Sequence, residues 1–315
     1  MFQHDFPFDP TGGYDRARLE AVQPVPPVAD FSDFWQNTRR AAAQIDPAPE
    51  LRPSAQRVPG HDVQDVSFTS WGGVRLHGWL SRPINRPVNR GLVVSHGYGG
   101  RLAPDPFPLL DDAAIIYPCS RGLGASARPD ERDLPPHVLR GIGHRDTYIF
   151  RGCAADVWAA ATTLQHVVPE AAGRLDYIGT SFGGGIGALA LPWDERFRAA
   201  FLGVPSFGQH PLRLRLPCSG SGEAVRLYAQ THPEIVDVLA YYDASAATRF
   251  MNRPTLVELA LFDPAVPPAG QFAVFNGLAG AKQSFVRQAG HFEYPAGAAE
   301  DTALTKAIRQ FLRAM

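Results

Sequence analysis

The sequence predicts an α/β fold, with a mainly parallel central sheet, helices on both faces of that sheet, and an N-terminal arm. From residue 91 onward, apolar strand-like runs alternate with helical patterns. Strands that alternate with helices form parallel sheets whose crossovers cover both faces. The 315 residues are 45% hydrophobic and 19% charged, a globular composition. We assign residues 1–60 to an arm packed on the main domain and residues 61–315 to the α/β domain itself.

The arm and the first part of the main domain contain one helix and one hairpin. "DFSDFWQNTRRAAAQI" predicts a helix that Asp30 or Ser32 could cap. "DVQDVSFTSWGGVRLHGWLSRP" alternates between polar and apolar residues and breaks at Gly72-Gly73. This pattern predicts a β-hairpin that leads into the parallel part of the sheet.

The remaining elements follow in alternation. The apolar residues of "IFRGCAADVWAAATTLQHVV" lie on one stripe of a predicted helix, and Pro169 ends this helix soon after. The other predicted helices are "FGGGIGALAL", "PEIVDVLAYY", "AGQFAVFNGL" and "EDTALTKAIRQFLRAM". The predicted strands are "GLVVSHG" (91–97), "AAIIYP" (113–118), "RLDYIG", "FRAAFLGV", "PTLVELALFD" and "KQSFVRQAG".

Charge and cysteine content narrow the class of protein. A net charge of −1 and a pI near 6.8 do not favour binding to nucleic acid or to an anionic membrane. Cys119, Cys153 and Cys218 have neither metal-ligand nor disulfide-framework spacing, so we expect reduced core thiols. The N-terminus does not resemble a signal peptide, and no run approaches 18 apolar residues. We therefore expect a cytoplasmic enzyme or binding protein.

One serine stands where a nucleophile is expected. Gly179, Ser181 and Gly183 form a Gly-x-Ser-x-Gly pattern between a strand and a Gly/Ala-rich helix start. Ligands gather at the carboxyl ends of parallel strands. A sharp turn there needs small neighbours, and the helix start aims backbone N–H groups at developing negative charge. The context favours Ser181 as the nucleophile of an α/β-hydrolase over a small residue in a flexible turn.

A serine hydroxyl needs a base, and in this fold the order is Ser, then Asp or Glu, then His. His291 follows the last predicted strand and a glycine, where a loop could bring it over the end of the sheet. His210 and His232 lie in a Pro-rich excursion and have no such placement. We therefore choose His291 as the base.

The base needs a carboxylate to hold its tautomer. Asp263 ends the strand "PTLVELALFD" and is followed by the loop "PAVPP". Asp237 and Asp243 fall on or just after a predicted helix, which favours a solvated face or a helix end. Asp263 is therefore the predicted orienting acid.

Two backbone N–H groups are candidates for an oxyanion hole. One belongs to Phe182, the residue after the nucleophile, and the other should come from a loop after an earlier strand. "VVSHGYGGR" supplies such a loop, with Tyr98 as its natural donor.

These motifs resemble the acetyl xylan esterase and cephalosporin-C deacetylase family, which is carbohydrate esterase family 7 of the α/β-hydrolases. The likeness runs through "FDPTGGYD", "DFSDFWQNT", "HGYGGR" (96–101), "SRGLG" (120–124), "RDTYIFRGCAADVWAA", "GTSFGGG", "LFDPAVPP" (261–268) and "GHFEYP". The resemblance implies the same nucleophile, base, acid and oxyanion donors. It also implies a homo-oligomer, with a hexamer as the form to test.

The chain departs from the family pattern at three places. Phe182 and Leu123 stand where the family usually has glutamine, and Phe292 separates His291 from Glu293, which are adjacent in the family. The backbone donor at position 182 is retained, but a phenylalanine side chain there could reshape the pocket. The role of Glu293 is open. The departures bear on the substrate more than on the class of reaction.

The resulting hypothesis is a serine esterase that removes acetyl or other short acyl groups through an acyl-enzyme, with no metal and no organic cofactor. The alternatives are a hydrolase of bulkier esters, lactones or amides, and a catalytically silent binding protein. We expect Arg121 to pair with a nearby carboxylate as a structural arginine rather than to bind a substrate carboxylate.

Overall fold

The strands form one sheet in the computed structural model, which describes residues 2–106, 109–131 and 133–315. The strands of these residues are β1 (Glu50–Pro53), β2 (His61–Ser70), β3 (Val74–Pro83), β4 (Arg90–Val94), β5 (Ala113–Pro118), β6 (Leu175–Thr180), β7 (Phe197–Gly203), β8 (Thr255–Phe262) and β9 (Lys282–Ala289). Their spatial order in the sheet is β1-β2-β3-β5-β4-β6-β7-β8-β9.

Helices pack on both faces of this sheet, which confirms the predicted fold class. The helices of the described residues are α1 (Arg16–Glu20), α2 (Phe31–Ala43), α3 (Ile149–Val167), α4 (Phe182–Ala190), α5 (His210–Arg213), α6 (Ser221–Thr231), α7 (Ile235–Leu239), α8 (Ala244–Ala247), α9 (Pro268–Gly277) and α10 (Gly297–Arg313).

The sheet is antiparallel at one end and parallel through the rest. Strands β1, β2 and β3 pair antiparallel, and β3 pairs antiparallel with β5, whereas β5, β4, β6, β7, β8 and β9 are parallel to one another. The chain leaves β4 for β5 on one side and then crosses to β6 on the other side of β4. The crevice at the carboxyl ends of β4 and β6 is therefore the topological switch point, where such sheets bind ligands.

The core is divided by the sheet because successive side chains of a strand point to opposite faces. In β7, Leu202 belongs to the larger cluster, which also takes in buried residues of α3, α4 and α9. Phe201 belongs to the other cluster, together with Ile308 and Phe311 of α10. Burial on both faces explains why these strands are continuous apolar runs.

Most predicted elements are present, and the differences are local. The hairpin at Gly72-Gly73 is confirmed by antiparallel pairing of β2 with β3. Strand β1 (50–53) lies inside the predicted arm but pairs with β2 as part of the sheet. Helix α6 (221–231) was not predicted, and the predicted helix at 233–242 is shorter, with a 3-10 turn at its end.

The helix cap in the arm differs from the expected one. Asp30 occupies the N-cap position of α2, but its side chain makes no capping hydrogen bond. Its carboxylate instead pairs with Arg145 at 2.7 Å and accepts the Tyr241 hydroxyl at 2.6 Å. Asp30 therefore ties the arm to two distant segments.

Among the helices of the described residues, none is both long and apolar enough to cross a membrane.

Candidate active site

Ser181 lies in a sharp turn between β6 and α4. Its φ of 57° and ψ of −114° are unusual for a residue with a side chain. A Cβ on Gly179 would lie 2.5 Å from the Gly183 carbonyl oxygen, and a Cβ on Gly183 would lie 2.9 Å from the His96 carbonyl oxygen. The two glycines of the pattern are therefore required by close backbone approach, as the sequence argument expects.

The structure brings Ser181, His291 and Asp263 into one hydrogen-bonded chain. His291 Nε2 lies 3.0 Å from Ser181 Oγ, and its Nδ1 lies 2.9 and 3.1 Å from the two Asp263 carboxylate oxygens. His291 follows β9 and has a positive φ of 46°, while Asp263 follows β8 directly. Strands β6, β8 and β9, with β7 between the first two, thus deliver three side chains to the carboxyl-end edge of the sheet. This arrangement lets the imidazole accept the serine proton while the carboxylate holds its tautomer.

Asp263 forms hydrogen bonds with several groups besides His291. Its side chain is almost fully buried, and it accepts the N–H groups of Ala265 and Val266, both at 2.9 Å. Gln271 Nε2 donates to the other carboxylate oxygen of Asp263 at 3.0 Å. The backbone N–H of Asp263 donates to the Pro10 carbonyl at 3.2 Å. The sequence analysis missed Gln271, whose signal was a polar residue within the apolar pattern of α9. These bonds satisfy a buried carboxylate and fix its orientation.

His291 shares a cavity with a buried ion pair that the sequence patterns do not reveal. Glu258, a charged residue within the apolar run of β8, is buried and pairs with Arg287 at 2.7 Å. Burial by itself lowers the pKa of His291, but the hydrogen bond and charge of Asp263, joined by the charge of Glu258, outweigh it. The net pKa of His291 is therefore raised, because two carboxylates stabilise the imidazolium. Glu258, Arg287 and His291 line part of a ≈ 610 Å³ cavity between the sheet and α10.

The predicted oxyanion donors lie on two segments that are hydrogen bonded to each other. The Gly183 N–H donates to the His96 carbonyl at 3.0 Å, which joins the loop after β4 to the first turn of α4. In the described part of the chain, the N–H groups of Phe182 and Tyr98 have no protein acceptor. Both are therefore free to bind a ligand oxygen.

The side chain of His96 orients the peptide that carries the Tyr98 N–H. The Ser120 N–H donates to His96 Nε2 at 2.9 Å, so the ring proton is on Nδ1, which lies 2.7 Å from the Gly97 carbonyl. Burial lowers the pKa of His96 to about 4, so the ring is neutral. Because C=O and N–H point in opposite directions across a trans peptide, this bond sets the direction of the Tyr98 N–H. His96 thus orients a candidate oxyanion donor, and no sequence pattern singles it out.

The expectation that the Phe182 side chain could reshape the pocket is wrong. The ring is 1% exposed and packs among other rings, with centroids 5.8 Å from Phe150 and 5.9 Å from Phe207. Tyr98 lies edge-on to it at 5.7 Å. The first turn of α4 directs this side chain into the core, so only the backbone of Phe182 faces the site.

The N-terminal arm contacts the loops that carry the acid and the base. The Phe2 ring centroid lies 5.2 Å from that of Phe262 and 5.6 Å from that of Phe292. Phe262 immediately precedes Asp263, and Phe292 immediately follows His291. The arm thus packs against both loops through aromatic contacts. Glu293, the next residue in the second loop, is exposed.

Arg121 is a structural arginine, as predicted. Its guanidinium binds the buried Asp156 carboxylate, with the shortest N–O distance at 2.7 Å, and donates to Ser70 Oγ at 3.2 Å. Leu123, two residues further on, is partly buried against the main core. Arg121 therefore joins the carboxyl ends of β2 and β5 to α3.

The rejected histidines and carboxylates have other roles. His210 is buried with Nε2 near a backbone carbonyl, and His232 stacks on Tyr228 with centroids 3.9 Å apart. Asp243 caps α8, and Asp237 is exposed on α7. Of the residues that the structure describes, no three His, Cys, Asp or Glu side chains are grouped to hold a metal ion.

Comparison with known proteins gives one family and a consistent fold. A family model described as acetyl xylan esterase (AXE1) matches residues 18–309. Acetyl xylan esterase 1 from Thermoanaerobacterium sp. JW/SL YS485 is similar in structure, with a TM-score of 0.79 and 21% identity, over 95% of this chain and 98% of that one. The acetyl xylan esterase from Paenibacillus sp. R4 gives a TM-score of 0.80 and 22% identity, over 93% and 99%.

A more distant likeness extends to a peptidase. Pyrococcus horikoshii acylaminoacyl peptidase gives a TM-score of 0.63 at 14% identity, over 81% of this chain and 42% of that one. At these identities, the three structural likenesses concern the fold.

Proposed function

The chain belongs to the acetyl xylan esterase family and is a hydrolase of acetyl esters, and we propose that Ser181, His291 and Asp263 perform its chemistry. The observation that carries the assignment is the hydrogen-bonded chain from Ser181 Oγ through both ring nitrogens of His291 to Asp263. The substrate class that the family favours is an acetylated carbohydrate or a related ester.

In the first half of the reaction, Ser181 Oγ attacks the acetyl carbonyl carbon while His291 Nε2 takes the hydroxyl proton. Asp263 stabilises the imidazolium that results. The carbonyl oxygen gains negative charge and accepts the N–H groups of Phe182 and Tyr98. The C–O bond to the alcohol then breaks, and the imidazolium gives its proton to the departing alcohol oxygen.

In the second half, water replaces the alcohol. His291 removes a proton from water as its oxygen attacks the acetyl carbon of the acyl-enzyme. Collapse of the second tetrahedral intermediate breaks the bond to Ser181 Oγ, which recovers its proton from the imidazolium. Acetate leaves, and every group of the protein is regenerated.

The test is hydrolysis of p-nitrophenyl esters from acetate to octanoate, with the wild-type protein beside Ser181→Ala. We expect turnover that favours acetate and is lost in the variant, because the other groups retain only residual catalysis without the nucleophile. Thr180→Ala is the matched control, because it removes a hydroxyl one residue before the nucleophile, at the carboxyl end of β6. Activity that peaks at octanoate would contradict the acetyl preference, and near wild-type turnover by Ser181→Ala would contradict the nucleophile.

We also propose a homo-oligomer in the cytoplasm, with the hexamer as the first form to test. The support for the assembly is what the resemblance to the family implies. The buried free thiols of Cys119, Cys153 and Cys218 suit a reducing compartment. Sedimentation that finds only monomer would overturn the assembly, and fractionation that finds the protein outside the cytoplasm would overturn the location.

A further inference from the structure

A cavity of ≈ 610 Å³ lies between the sheet and α10, on the side of the sheet away from α4. Most of its wall is apolar and comes from the parallel strands β4 to β7 and from α10. The apolar side chains include Val94, Ile115, Ile178, Phe201, Leu304 and Ile308. A volume and a lining of this kind are typical of a pocket that binds a small apolar ligand.

The cavity lies beside a crossover of the sheet that is not helical in its described residues. Parallel strands are normally joined by a helix that packs on the sheet. The connection from β4 to β5 has no helix in residues 95–106 and 109–112. Asp105, Pro106 and Leu109 of this connection form part of the cavity wall. At this point α10 therefore faces the sheet across an open space.

The charged groups in the wall are compensated by the protein itself. Glu258 and Arg287 both line the cavity and pair with each other at 2.7 Å. Arg287 also binds Asp301 at 2.9 Å. Arg309, another lining residue, is exposed to solvent. A charged ligand is therefore not needed to balance these groups, and the apolar wall favours a neutral, apolar one.

The cavity adjoins the reacting groups at His291. This residue lines the cavity together with Gly290 and with Thr180, which directly precedes the nucleophile. His291 Nε2 lies 3.0 Å from Ser181 Oγ. Because the imidazolium gives its proton to the departing alcohol oxygen, that oxygen has to lie beside the same ring. The alcohol part of the ester is therefore the part next to the cavity, whereas the acetyl oxygen lies at the oxyanion donors.

We propose that this cavity binds an alkyl or aryl group on the alcohol part of the ester, so that the protein prefers acetates of apolar alcohols to acetates of small polar ones. This assignment rests on the proposed function, since the cavity adjoins the groups that would perform the reaction. Transfer of the apolar group from water to the cavity favours binding in proportion to the area buried. The acyl side keeps its preference for acetate, because the cavity takes the alcohol side.

The first experiment measures kcat/KM for ethyl, butyl and hexyl acetate. We expect kcat/KM to rise by roughly threefold for each added methylene, the effect of burying one CH₂ group. Ethyl hexanoate is the matched control substrate, because it is an isomer of hexyl acetate that carries the chain on the acyl side. It should be a much poorer substrate than hexyl acetate. A flat acetate series, or equal kcat/KM for the two isomers, would overturn the proposal.

Two variants that narrow the cavity test its role in this series. Ile308→Trp does so from α10, and Leu109→Trp does so from the connection between β4 and β5. Each should abolish the rise and leave ethyl acetate near its wild-type kcat/KM. Gln310→Trp is the matched control, because Gln310 is exposed on the same helix, and it should leave the rise unchanged. A rise that persists in folded Ile308→Trp and Leu109→Trp would overturn the proposal.

A second measurement separates failure of this inference from failure of the proposed function. In Ser181→Ala, which should not turn over, hexan-1-ol should raise the melting temperature, and Ser181→Ala/Leu109→Trp should not respond. If both proteins respond alike, the cavity assignment is wrong whatever the nucleophile is. If only Ser181→Ala responds but the wild-type acetate series is flat, the cavity binds apolar molecules apart from the substrate, and the substrate role is overturned. If the wild type hydrolyses none of the acetates, the proposed function itself fails.

Discussion

At the scale of single residues, the proposed site depends on partners that leave each reacting group one orientation. Asp263 is held by two backbone N–H groups and Gln271, and the Tyr98 peptide is held by the ring of His96. Groups fixed before the reaction need little reorganisation when charge develops, which is the source of most electrostatic catalysis.

His96 provides a test of that orientation. An asparagine amide can replace the ring Nδ1–H as donor to the Gly97 carbonyl, whereas a glutamine amide reaches the position of Nε2 instead. We expect His96→Gln to lower kcat by about tenfold or more with little change in KM, toward the 10²–10³ loss of a whole donor. His96→Asn should lose less.

His137 is the control for that experiment, since it is also buried against Phe182 but contacts the Arg121 carbonyl. His137→Asn should change melting temperature without the same loss in kcat. Equal kcat for His96→Asn and His96→Gln, at equal folded fraction, would show that the ring does not orient the peptide.

The raised pKa of His291 sets the expected pH dependence. The ring acts as a base only when neutral, so kcat/KM should fall as pH drops through a midpoint above 6.5, the usual value. Glu258→Gln removes a negative charge that favours the imidazolium and leaves the positive charge of Arg287 less compensated, with Asp301 as its remaining close partner. The midpoint should therefore move to lower pH, as measured with p-nitrophenyl acetate.

Asp301→Asn is the control for that shift, because Asp301 binds the same arginine from the exposed side, at 2.9 Å. Its midpoint should stay near the wild-type value. If Glu258→Gln leaves the midpoint unchanged or raises it, the charge of Glu258 does not raise the pKa of His291.

At the scale of elements, the site is assembled from strand ends and tied down by the arm. Strands β6, β8 and β9 deliver Ser181, Asp263 and His291, and the loop after β4 delivers Tyr98. The strands are rigid, but the loops after β8 and β9 depend on what packs over them. The aromatic side chains of the arm fill that role.

Removal of residues 2–8 should therefore reduce kcat by roughly tenfold or more, because small displacements of reacting groups have large effects on rate. The melting temperature should fall only slightly. The matched control replaces the outward-facing Gln3 and Asp5 by alanine. Full activity of the shortened protein in the ester assay would mean that the arm does not position the loops.

At the scale of the whole molecule, the elements that can be predicted from the sequence are those whose hydrophobic pattern matches the residues that the fold buries. The parallel strands are apolar runs because both faces are covered, and Ser181 is recognisable because its turn needs glycines. Helix α6 escapes prediction because, of its residues, only Val225 is buried. Strand β1 is short and mostly exposed, so it has no alternating pattern.

Side-chain destinations were harder to predict than elements. Phe182 points into the core because five aromatic rings surround it, and those rings come from segments far apart in sequence. Gln271 and Glu258 become part of the site through contacts across elements. A single sequence carries only their polarity as a signal.

The buried thiols give a prediction for the whole fold. Cys119, Cys153 and Cys218 are free and buried, and burial raises the pKa of each thiol. The native protein should react slowly with a thiol reagent such as dithionitrobenzoate, and all three thiols should react once it is unfolded. Rapid labelling of the native protein would contradict this core packing. The control counts the thiols of protein that was denatured without a reductant, because a disulfide would lower that count below three.

The central claim is that Ser181 is the nucleophile, and covalent labelling tests it most directly. The protein is treated with a serine-reactive phosphonate and the modified peptide is identified by mass spectrometry. We expect one adduct, on Ser181, that forms in step with the loss of p-nitrophenyl acetate hydrolysis and forms much more slowly in Asp263→Asn. Complete inactivation with the adduct on another residue, or continued hydrolysis by fully labelled Ser181, would contradict it.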